Sequence, residues 1–96
     1  MPTIFHKKLD VRAEVDDFSQ AQYEMYQTIL LELTKSQTAT AVANGAVVRA
    51  AIKSGFLKGI NEAEVPSMKP SAVIWLTKKI HEHVLEVTKV PIDDPN

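Results

Sequence analysis

Twenty residues from Pro70 to Lys89 constrain this chain more than any other stretch, because their apolar spacing and bounding prolines fit one long helix. If the segment is helical, Val73, Leu76, Ile80, Val84 and Val87 fall at spacings of three and four and form one apolar stripe. Pro70 suits the first helical position, where its missing amide would have no intrahelical partner. Pro91 closes the segment by disfavouring the helical conformation at Val90. At roughly 1.5 Å per residue such a helix is about 30 Å long, enough to cross a small domain.

Two further helices are expected. Phe18-Ser19-Gln20-Ala21-Gln22-Tyr23 is a helix start: Ser19 can accept from the Gln22 amide while the Gln22 side chain reaches back, and Phe18 can pack on Tyr23 outside that pair. Tyr23, Tyr26, Leu30 and Leu33 then make a stripe, with Met25 and Ile29 at its edge. The next helix is unlike the first. Ala39, Ala41, Ala43, Ala46, Ala50 and Ala51 let a neighbouring backbone come close, and Ala43-Asn44-Gly45-Ala46 reads as part of a tightly packed helix. Gly55 can adopt the left-handed conformation that ends a helix. The predicted helices span 18–36, 40–54 and 70–89.

Ahead of them, Leu9, Val11, Ala13 and Val15 alternate with Asp10, Arg12 and Glu14, which suits a short strand or extended arm. With no second convincing strand in view, the arm packs on the helices or pairs with another subunit. Residues 56–69 read as an ordered connection with one short helical turn. The expected fold is therefore all-α: a small single domain of three main helices, with a short extended N-terminal arm at 1–15, a helical body at 16–90 and a frayed tail at 91–96.

At 96 residues the chain supports one modest core. Eleven basic and twelve acidic residues leave no global field to attract nucleic acid or an anionic membrane. The absence of cysteine excludes disulfides, thiolate zinc sites and thiol nucleophiles together. Neither a signal-peptide-like apolar run nor a stretch of roughly 20 apolar residues is present, and the chain is read as cytoplasmic with no membrane partner.

His81-Glu82-His83 attracts attention first. Position 85 is Leu85, so no H-E-x-x-H motif exists, and residues two apart on a helix point about 200° away from each other. His83 and Glu86 could be half of a carboxylate-bridged site, but no second such element completes it. No metal and no cofactor are expected. Asp16 and Asp17 precede the first helix, where they favour its positive end rather than acid-base chemistry. With neither a phosphate loop nor a nucleophile elbow, no catalytic residue is expected and the chain is not read as an enzyme.

Arg49, Lys53 and Lys58 could form one basic patch and Lys78 and Lys79 another, the basis of an alternative reading as a small regulatory nucleic-acid-binding protein. No aromatic is interleaved with them, and about fourteen residues separate two helices that a helix-turn-helix would join by three or four. Solvated helix faces account for these lysines, and nucleic acid is not the expected partner.

Trp75 is the more informative anomaly. It lies nearly opposite Val73 and Ile80, while Ile74 and Leu85 sit about 100–120° from the main stripe, so one helix shows apolar surface beyond its core face. Either this helix is central and wrapped on several sides, or Ile74, Trp75 and Leu85 contact another chain.

Four stretches together resemble the small tail assembly chaperones of long-tailed bacteriophages and prophages: Asp17-Phe18-Ser19-Gln20-Ala21-Gln22-Tyr23-Glu24; Val47-Val48-Arg49-Ala50-Ala51-Ile52-Lys53-Ser54-Gly55; Met68-Lys69-Pro70-Ser71-Ala72-Val73-Ile74-Trp75-Leu76 on to Ile80; and Val90-Pro91 with acids after it. The resemblance covers residues 16–94. It implies a non-enzymatic protein of the bacterial host cytoplasm that holds a helical client, the tape-measure protein, before the tail tube forms around it. It also implies self-association, which would keep apolar surface covered when no client is bound. Ile74, Trp75 and Leu85 would be the contacts, with the Thr3–Val15 arm, including Val11 and Val15, available for exchange between subunits.

Overall fold

The computed structural model describes residues 2–36 and 39–91. The chain begins with strands β1 (Thr3–His6) and β2 (Val11–Val15), continues through helices α1 (Gln20–Thr34) and α2 (Thr40–Lys53), then strand β3 (Leu57–Lys58) and a 3-10 turn (Glu62–Ser67), and ends in helix α3 (Pro70–Thr88). It is an α+β fold, mostly helical, with a three-stranded antiparallel sheet in the order β1-β2-β3. This overturns the all-α expectation. The segment read as an extended arm is a hairpin whose partner strand lies in the same chain: Thr3 pairs with Glu14, Ile4 with Ala13, Phe5 with Arg12 and His6 with Val11.

The hairpin escapes a sequence reading because its turn, Lys7 to Asp10, lacks the glycine or asparagine that usually marks one. Asp10 itself takes the left-handed conformation, at φ 53°. Its amide donates to the Lys7 carbonyl at 3.1 Å, and the Leu9 amide donates to Nδ1 of His6 at 3.2 Å. Strand β2 keeps the alternation seen in sequence, with Val11, Ala13 and Val15 buried between the exposed Arg12 and the half-exposed Glu14. Two-residue β3 joins β2 through Glu14 and Val15. Just beyond it Gly59 adopts φ 92°, and a Cβ there would lie 3.4 Å from the Cα of Ala13.

Helix α1 starts where its capping residues place it. Ser19 Oγ accepts from the Gln22 amide at 3.2 Å, Gln22 Oε1 accepts from the Ser19 amide at 3.0 Å, and the Phe18 and Tyr23 rings stack 5.6 Å apart. Gln22 also donates through Nε2 to the Ser54 carbonyl at 3.2 Å, which ties the start of α1 to the end of α2. Gly55, at φ 92°, ends α2, and Phe56 then turns into the core, its ring 4.6 Å from Phe18 and 5.2 Å from Tyr26.

Of the six alanines expected to pack closely, three are buried; Ala39 and Ala41 are exposed and Ala43 is half-buried. Ala46, Val47, Val48, Ala50 and Ala51 are buried where α2 lies against α1 and α3. On α3 the buried positions are Ala72, Leu76, Thr77 and Ile80. The Thr77 hydroxyl donates to the Val73 carbonyl at 2.8 Å, with the Asn44 carbonyl of α2 3.1 Å away. That contact fixes α3 against the middle of α2. The predicted frayed tail lies outside the described residues from position 92 onward.

Candidate protein-interaction groove

Where the first half of α2 diverges from the start of α3, an apolar groove of about 560 Å³ opens on the surface. Val42 and Gly45 of α2 line one wall, Val73 and Ile74 of α3 the other, and Val65 and Met68 close one side. Three features of the chain create it. Pro70 starts α3 late enough for the 3-10 turn, capped by Asn61 accepting from the Ala63 amide at 3.1 Å, to stand beside α2. Thr77 anchors α3 to α2 at Asn44, on one side of the opening.

Gly45 makes the third contribution. A Cβ at that position would meet nothing within 4 Å among the described residues. The expectation that Ala43-Asn44-Gly45-Ala46 is tightly packed therefore holds for Ala46, which is buried, and fails for Gly45. A glycine inside a helix costs about 0.5–1 kcal/mol relative to alanine. Here no contact among the described residues requires it, and a methyl group at that position would point into open space.

Arg49 stands at the rim, half-buried, and among the described residues no carboxylate pairs with it. The neighbouring cations differ. Lys53 pairs with Glu62 at 3.3 Å and Lys58 with Asp16 at 3.0 Å. Two of the three residues that could form a basic patch thus already have acidic partners. A second hollow of about 510 Å³, between the β1–β2 turn and the start of α3, mixes Lys8, Arg12 and Lys69 with Asp10 and Glu64 and has no dominant character.

The five residues singled out as interaction candidates fall in four different settings. Ile74 is 56% exposed and lines the groove. Leu85 is 71% exposed but lies three turns further along α3, away from it. Trp75 is half-buried: the His6 ring meets it edge-on at 5.4 Å between centroids, and Nζ of Lys79 lies 5.8 Å from its centre. Val11 and Val15 are buried in the core, so any exchange through them would first have to detach the hairpin from its own chain. Sequence reasoning missed Val42, Gly45 and Met68. Only Gly45, an unexplained glycine inside a helix, carries a signal that could have pointed to them.

His83 has a structural setting. Its Nε2 lies 2.6 Å from the Asp16 carbonyl oxygen, and its ring packs against Phe18 and Phe56. Asp16, which precedes the start of α1, also acts as a tether: its amide donates to the Phe56 carbonyl at 2.8 Å and its Oδ2 pairs with Lys58. Among the described residues no group of three or more potential ligands is placed to hold a metal ion. Nor is any described helix long and apolar enough to cross a membrane. Comparison with protein-family models, with curated proteins and with solved structures found no match.

Proposed function

We propose that this chain is a non-enzymatic adaptor that holds an apolar helical segment of another protein in the groove between α2 and α3. The supporting observation is the groove itself, an apolar trough between two helices with Gly45 in its α2 wall and the exposed side chains of Val42 and Ile74 lining it. Helix-in-groove recognition needs this combination, because side chains at every third or fourth position of a docking helix enter a trough while its backbone approaches closely. The resemblance to phage tail assembly chaperones supplies the finer reading: the client is the tape-measure protein, met in the cytoplasm of a bacterial host.

Binding of labelled peptides that tile the helical repeats of the tape-measure protein encoded in the same phage genome, followed by fluorescence anisotropy, tests this reading. At least one peptide should bind the wild type, with affinity falling about tenfold in Ile74→Asp through lost apolar burial. Gly45→Leu, which fills the trough, should weaken binding at least as much. Peptides that bind the wild type and both variants equally, or that fail to bind at all, would refute the proposal.

A further inference from the structure

The outer face of α1 carries the counterpart of the groove. At about 100° per residue, Glu24, Met25, Thr28, Leu31 and Glu32 fall within one arc of about 120° on the α1 helix. All five are exposed, Met25 at 49% and Leu31 at 69%, large apolar side chains turned to solvent with a carboxylate beside each. Glu24 to Glu32 spans about 12 Å along the axis, and Val42 to Arg49, the α2 wall of the groove, spans about 11 Å. One surface offers two apolar knobs and two carboxylates. The other offers an apolar trough with a hole at Gly45 and a guanidinium without an acidic partner among the described residues.

We infer that a second copy of this chain occupies the groove when no client is bound, its Met25 and Leu31 entering the trough over Gly45 and its Glu24 or Glu32 reaching Arg49. The inference rests on the groove being the docking site proposed above, and it adds that client and second copy compete for it. Because acids flank the knobs at both ends, Arg49 meets a carboxylate whichever way the incoming helix runs. Among the described residues neither acid is held elsewhere by a strong partner. Glu32 pairs with Lys35 at 3.2 Å in an exposed ion pair, and Glu24 accepts from Gln20 Nε2 at 3.0 Å. The contact joins two different surfaces, so a pair retains a free groove on one copy and a free face on the other, through which assembly continues head to tail.

Sedimentation equilibrium over a wide concentration range tests the inference without any client. The wild type should show a weight-average mass that rises beyond the dimer, with a Kd of about 10–100 µM as befits a small interface. Gly45→Leu blocks the groove and the combination Leu31→Asp with Met25→Asp blocks the face; each should stay monomeric while keeping the wild-type circular dichroism spectrum. Mixed, they should form a one-to-one complex, since one retains an intact face and the other an intact groove. Arg49→Glu should weaken assembly about tenfold, and adding Glu24→Lys and Glu32→Lys to the same chain should restore it. A wild type that stays monomeric throughout, variants that assemble like the wild type, or a mixture that forms no complex would overturn the inference. If assembly fails these tests while Gly45→Leu still weakens tape-measure peptide binding, the inference falls and the adaptor reading stands; the reverse pattern sinks the adaptor reading and the competition with it, and leaves self-association through the groove.

Discussion

Gly45→Ala should make this protein more stable, against the usual outcome of a substitution inside a packed helix. The added methyl group meets nothing within 4 Å, so it introduces no overpacking, and Gly45 does not have the positive φ that marks Gly55 and Gly59. What remains is backbone entropy: replacing glycine by alanine in a helix interior gains about 0.5–1 kcal/mol. For a domain of this size that corresponds to a rise in Tm of about 2–8 °C. Urea unfolding, followed by far-UV circular dichroism and by the fluorescence of Trp75, measures it directly, with an unchanged slope in denaturant showing that the change is in stability alone. Unaltered or lowered stability would refute the reasoning, because it would mean that the space beside Gly45 is filled in the folded protein.

Gly59→Ala should behave in the opposite way, losing about 1–2 kcal/mol in the same unfolding assay, since it forces a side chain into the left-handed region with the Ala13 backbone 3.4 Å from the new Cβ. Burial, reinforced by the neighbouring charge of Tyr23, pushes the Tyr26 hydroxyl from its usual 10 up to about 12. The fold therefore favours the neutral phenol. This contribution to stability is fully present below pH 10 and is lost as pH rises from 10 towards about 12. Spectrophotometric titration should show one tyrosine ionising late, and Tyr26→Phe should flatten the fall in urea midpoint over that window; a Tyr26 that titrates at its ordinary value would refute it.

The parts of this fold that a sequence reader can find are those specified within a few consecutive residues. Pro70 and the apolar spacing after it place α3, Ser19 and Gln22 place the start of α1, and Gly55 ends α2, each through an interaction that closes locally. The sheet is specified differently. Strand β1 has four residues and β3 has two, the turn between β1 and β2 uses Asp10 where a glycine would announce it, and β3 is defined by its pairing with Glu14 and Val15, far back in the chain. Nothing in a local pattern encodes that pairing.

The hairpin sets part of the surroundings of Trp75. Periodicity places this residue away from the core stripe of α3, and the placement is correct as helix geometry. Part of what meets it comes from its own chain, the edge-on ring of His6 in β1, a contact visible only once the hairpin is known. The apolar surplus on α3 is thus divided three ways along its length. Trp75 is partly covered within the chain, Ile74 lines the groove, and Leu85, eleven residues or about 16 Å beyond Ile74, stands apart from both. A single docking helix laid in the groove across α2 reaches Ile74 without reaching Leu85. Substituting Leu85 by aspartate should therefore leave peptide binding in the groove unchanged, and a loss equal to that of Ile74→Asp would show that the client runs along α3 rather than between α2 and α3.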